Sequence, residues 1–181
     1  MPRIRTLRPN VTREEATREF ARGLGTALRN TLFGPVETVV EFYIPFRFFQ
    51  VIASRGRQRK QMICGVDAVT GNLDPYQFQD LPGPEDVCYV ETRNAPLVLL
   101  DEERARELLL RGLRRATSPM RGSEISAEPI AGEIYIPYWV GFRGRGMRAR
   151  LAVMDAMRQR MEGAKVRRLL REWMGAVTVN N

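Results

Sequence analysis

The sequence predicts an α+β protein built of two related helix-plus-antiparallel-hairpin units, an internal duplication arranged as a pseudo-twofold pair, with an added C-terminal helix. Three observations predict it. FYIPFRFFQV (residues 42–51) and IYIPYWVGFR (residues 134–143) repeat the order Tyr, Ile, Pro, aromatic. Each repeat follows a helical stretch that carries Glu-Glu, then Arg-Glu, then Arg-Gly-Leu: Glu14, Glu15, Arg18, Glu19, Arg22, Gly23 and Leu24, against Glu102, Glu103, Arg106, Glu107, Arg111, Gly112 and Leu113. Each repeat then turns through Arg-Gly-Arg and returns to an aspartate, Asp67 or Asp155.

The first unit is expected over 11–80. Thr12 with Glu15 three residues on makes a capping box, in which each side chain accepts an N–H left over at the helix start. Ala16, Phe20, Leu24, Ala27 and Leu28 recur at helical spacing, and Gly34-Pro35 stops the run. VETVVEFYIPFRFFQVIAS is rich in β-branched and aromatic residues and reads as a strand. SRGRQR turns it and KQMICGVDAV returns. Proline cannot donate to a β-ladder, so Pro45 marks an edge, a strand start or a bend. A loop-rich connection spans 81–99, with a strand at 87–91. The second unit is expected over 100–174. Asp101 caps its helix, Ala105, Leu108, Leu109 and Leu113 form the apolar stripe, and the hairpin returns four residues sooner than the first. Val166, Leu169, Leu170, Trp173 and Met174 fall on one helical face, which predicts a C-terminal helix over 162–174 and leaves GAVTVNN as a tail.

Composition narrows the function. The 181 residues carry a net charge of +8, and all but Lys60 and Lys165 of the 29 basic residues are Arg. Such a surface attracts acidic surfaces and nucleic acid. There is no histidine, which removes the commonest general base and the commonest metal ligand. Cys64 and Cys88 stand apart in apolar surroundings, MICGV and DVCYV, and read as buried free thiols in a reducing, cytoplasmic setting. No apolar run is long enough for a membrane-spanning helix, and no secretory signal is evident at MPRIRTLRPN. No metal, cofactor or catalytic residue is expected. Asp67 and Asp155 occupy matching hairpin ends, where a carboxylate pair for acid–base work competes with the ordinary use of Asp to accept turn N–H groups.

The chemistry the residues best support is anion binding at the two hairpins. Arg47, Arg55, Arg57, Arg59 and Lys60 follow one another with no acid between them, and 143–172 holds ten positive residues against three acids. Arg143, Arg145, Arg148 and Arg150 flank the second turn. Glycine lets a backbone approach phosphate closely, and Arg binds phosphate bidentately. Tyr138 and Trp139 on the strand leading to the second tip, with Phe46 and Phe48 in the first, suit base stacking. The expected partner is nucleic acid or an acidic protein surface, with a sheet-edge homodimer as a further option.

The order of helix, bent strand and hairpin, followed by Asp-Ala-Val-Thr-Gly at 67–71, resembles the PepSY type of cystatin-like domain. The likeness covers both halves in layout and the first alone in motif, because Asp155 is followed by Ala-Met-Arg-Gln. That resemblance implies a non-catalytic module that binds or inhibits a protein or peptide through its sheet edges, with no metal or cofactor site.

Overall fold

The computed structural model describes residues 1–22, 34–115, 124–144 and 149–179. Along the chain these form β1 (Arg3–Leu7), α1 (Arg13–Ala21), β2 (Val36–Arg55), β3 (Gln58–Asp67), β4 (Tyr76–Phe78), β5 (Val87–Glu91), α2 (Glu102–Arg115), β6 (Glu124–Arg143), β7 (Arg150–Asp155), β8 (Arg160–Met161) and α3 (Ala164–Val179). The molecule is mostly sheet, and the sheet is mixed: β1 runs parallel to β6 and antiparallel to β5. The expected pair of helix-plus-hairpin units is therefore corrected. Two compact units exist, but they are assembled differently: one contains Met1–Leu7 and Ile44–Tyr135, the other Arg8–Tyr43 and Ile136–Asn181.

The reason lies in the two long strands. β2 and β6 are each 20 residues long and run without a break through Pro45 and Pro137. Neither proline bends its strand back onto the preceding helix. The β2–β3 ladder starts at Phe46↔Asp67, one residue after Pro45, and the β6–β7 ladder starts at Tyr138↔Asp155, one residue after Pro137. Each proline thus sits just outside the ladder of its own hairpin, to which it could not donate. Strand continuity carries β2 from the unit that holds α1 into the other at Tyr43/Ile44, and β6 leaves the unit that holds α2 at Tyr135/Ile136.

In the first unit, α2 packs on the first hairpin. Ala105, Leu109 and Leu113 of its apolar stripe meet Phe49, Val51, Ala53, Met62, Cys64 and Val66. The alternation of β2 puts Phe46 and Phe48 on its opposite face, where they join Tyr76 and Phe78 with ring centroids 5.2–6.4 Å apart. β1 is held by β5 and by the buried Thr6 hydroxyl, which donates to the Tyr135 carbonyl at 2.8 Å. In the second unit, α1 packs on the second hairpin: Ala16 and Phe20 meet Trp139, Met154 and Ala156. The C-terminal helix buries Val166, Leu169 and Leu170 and sets Trp173 edge-on to Phe42 at 4.9 Å. It extends to Val179, into the stretch expected to form a tail.

Candidate anion-binding hairpins

The first hairpin tip is built by a two-residue turn. Arg55 pairs with Gln58, leaving Gly56 and Arg57 as the central residues. Gly56 has φ +58°, the left-handed value that a type II′ hairpin needs at its first central position and that glycine adopts without penalty. Pairing registers then distribute the charge. Lys60 lies opposite Ala53 and shares the face of the core that includes Val51 and Met62, as does Arg55. Arg59 lies opposite Ser54 on the other face, and Arg57 caps the turn. All four cations are exposed, as is every residue from 55 to 60, and no acid interrupts them. The ribbon tip therefore presents positive charge on both faces and at its end.

Arg47 has a different role. It is half-buried, its Nε donates to the Leu100 carbonyl at 3.0 Å, and its Nη2 lies 2.9 Å from the Glu133 carboxylate. It braces the start of α2 within its unit. At the corresponding place after Pro137 stands Trp139, whose Nε1–H donates to the Val11 carbonyl at 2.8 Å. Two unlike side chains thus make the same kind of strut to the residue before a helix cap.

The second hairpin does not mirror the first. Tyr138 and Trp139 are 3% and 5% exposed and belong to the core, as do Phe46 and Phe48, so none of these rings is a stacking platform. Arg143 is buried: its guanidinium donates to the carbonyls of Phe20 at 2.7 Å and Gly34 at 3.2 Å. Arg150, its cross-strand partner, is exposed. Arg145 and Arg148 lie outside the described residues.

The two aspartates serve their own turns. Asp67 is fully buried. Its Oδ1 accepts the N–H groups of Val69 (3.3 Å), Thr70 (2.6 Å) and Gly71 (3.0 Å), and its Oδ2 accepts that of Leu73 (2.8 Å). The Thr70 hydroxyl donates to the same carboxylate at 3.1 Å. Asp155, also fully buried, accepts the N–H groups of Met157 and Arg158 at 2.9 and 2.8 Å. The residue after each aspartate reaches back to its proline: Ala68 N–H to the Pro45 carbonyl, and Ala156 N–H to that of Pro137. The repeat in the sequence thus marks two self-capped turns at the ladder starts.

The sequence gives no binding role to Arg22, which belongs to the repeated helix motif, or to Arg167 and Arg171. They meet Arg143 and Arg150 around a cavity of about 490 Å³ in the second unit. Arg167 and Arg171 lie one turn apart on α3, but only folding brings them to Arg22 and to the second hairpin. No helix among the described residues is long and apolar enough to cross a membrane, and no metal-binding cluster of acidic or cysteine side chains occurs among them. No family model, curated protein or solved structure matches this chain.

Proposed function

We propose that this is a non-catalytic binding protein whose β2–β3 ribbon tip holds the phosphate backbone of nucleic acid. The supporting observation is the exposed run from Arg55 to Lys60, with four cations spread over both faces of a narrow ribbon and no acid among them. With the aromatic rings buried in the core, the contact rests on charge and is indifferent to base sequence. A non-catalytic role agrees with the engagement of both buried carboxylates in turn hydrogen bonds.

Fluorescence anisotropy with labelled single- and double-stranded DNA and RNA tests this reading. Four phosphate contacts give a slope of log K against log salt of about −3.6 on duplex DNA. Replacing Arg55, Arg57, Arg59 and Lys60 together by Ala abolishes the binding, while Ala at Arg111, exposed on α2, leaves it unchanged. A flat salt response, or equal loss with both variants, refutes the proposal.

A second reading follows from β5. It is the terminal strand of its path, and Tyr89 on it is 60% exposed with Arg3 stacked 4.7 Å from the ring centroid. An open edge of this kind suits strand addition by a peptide or a second copy of the chain, the mode that a PepSY-like module would use. Such binding tolerates salt and survives loss of the four tip cations, which separates it from the first reading.

A further inference from the structure

The cavity in the second unit has an unusual lining. Arg22 stands just past the end of α1, Arg143 ends β6, Arg150 begins β7, and Arg167 and Arg171 lie one turn apart on α3. Five guanidinium groups border the space and one carboxylate, Glu19, accompanies them. Glu19 is itself bound to Arg22 at 2.7 Å. Like charges gathered around one void repel, and the repulsion grows as water is excluded. An anion in the cavity relieves it.

Two of the five are held in place by backbone. Arg143 is fixed by the carbonyls of Phe20 and Gly34, and Arg167 donates to the Glu162 carbonyl at 3.0 Å. These bonds orient a guanidinium without cancelling its charge, and a pre-oriented fork loses less freedom when it grips an oxyanion. Ala164, the first residue of the 16-residue α3, also borders the cavity. The positive end of that helix adds to the attraction for anions. The volume lies within the usual range for small-molecule sites.

We infer that this arginine-lined cavity is a binding site for a phosphoanhydride, the di- or triphosphate group of a nucleotide or of a nucleic-acid end. A single phosphate offers at most two charges to five guanidinium groups, whereas a chain of phosphates carries three or four negative charges and offers several oxygens to bidentate forks. The site shares no residue with the ribbon tip and does not depend on it.

Isothermal titration of the full chain with inorganic pyrophosphate, adenosine triphosphate and inorganic phosphate at physiological salt tests the inference. Pyrophosphate and the triphosphate are expected to bind and inorganic phosphate to bind at least about tenfold more weakly. Arg150→Gln combined with Arg171→Gln removes two exposed forks and is expected to weaken pyrophosphate binding by about a hundredfold. Arg168→Gln removes the same charge from a residue of α3 that does not line the cavity, and is expected to leave affinity within about twofold. Thermal unfolding of each variant confirms that it is folded. A 5′-triphosphate oligonucleotide compared with its 5′-hydroxyl form separates the two sources of the group: a gain over adenosine triphosphate assigns the cavity to a nucleic-acid end, and equal affinity assigns it to the free nucleotide. Absence of pyrophosphate binding, equal weakening by Arg168→Gln, or loss of pyrophosphate binding on replacing Arg55, Arg57, Arg59 and Lys60 overturns the inference.

Discussion

Replacing Asp67 by Ala removes one fully buried carboxylate that accepts from the four backbone donors of Val69, Thr70, Gly71 and Leu73, of which Gly71 N–H alone keeps a second acceptor, the backbone carbonyl of residue 67 at 3.2 Å. A hydrogen bond to a charged acceptor contributes about 1.5–3 kcal/mol. The first three donors belong to half-buried residues and recover water in part, whereas Leu73 is buried and its N–H loses its partner outright. The expected cost is about 3–4 kcal/mol, in the range for breaking a buried charged network. Asp67→Asn recovers less than half of this, because its NH2 must face either the three donors at Oδ1 or the Leu73 N–H at Oδ2. Thr70→Ala alone costs about 1 kcal/mol through the lost hydroxyl bond. Urea unfolding of the two single variants and the double variant forms a thermodynamic cycle. The Thr70 contribution should shrink once Asp67 is Ala, leaving the bond its hydroxyl accepts from the Asn72 N–H at 3.2 Å. Strict additivity, or a cost below about 1 kcal/mol for Asp67→Ala, would refute the assignment of the turn as a carboxylate-held structure.

Three other outcomes can be checked directly. A Cβ on Gly141 would stand 2.8 Å from the Phe20 ring and 3.0 Å from Val36, so Gly141→Ala should destabilise by about 1–3 kcal/mol in a urea titration; a neutral result would show that α1 does not pack on the second hairpin. Burial pushes the Cys64 thiol up to about 11, while Cys88 is half-buried, so a thiol reagent at pH 8 should modify Cys88 first and Cys64 only on unfolding, as read by mass spectrometry of digests. The Thr12 backbone N–H, then the Thr12 hydroxyl, hold the Glu15 carboxyl below its ordinary 4.5. A depressed carboxyl stabilises the folded state above its ordinary value and loses that contribution as pH falls through the lower, folded-state value. NMR titration should place Glu15 below 4.5 and return it toward that value in Thr12→Ala.

Much of the secondary structure was legible because its causes are local. The Thr12–Glu15 capping box is present, with the Glu15 carboxylate accepting the Thr12 N–H at 2.8 Å. The stripe of Ala105, Leu109 and Leu113 is buried as its spacing requires. VCYVE forms a strand at Val87–Glu91, and the Arg-Gly-Arg turn closes β2 onto β3. β1 was not anticipated: RIRTL is short and interrupted by arginines, and its partners, β5 and β6, lie more than 80 residues away. The candidate site divided in the same manner. Arg55, Arg57, Arg59 and Lys60 are exposed because a hairpin tip has nothing to pack against. Arg47, Tyr138 and Trp139 lie deeper along their strands and are claimed by tertiary contacts, and Arg143, although it ends β6, is drawn inward by the Phe20 and Gly34 carbonyls.

The sequence by itself determined where α1 and α2 are capped, at Thr12 and Asp101, and that Arg55, Arg57, Arg59 and Lys60 cluster at the turn of the first hairpin. Tertiary structure alone decided which hairpin each helix covers. An apolar stripe specifies that a helix is buried, but not against what. The neighbouring hairpin in sequence is the default partner. Here two 20-residue strands run straight past their prolines, so α1 packs with the second hairpin and α2 with the first. The same assembly gathers Arg22, the hairpin pair Arg143 and Arg150, and the helix pair Arg167 and Arg171 around one cavity, a juxtaposition of three elements that no spacing along the chain encodes.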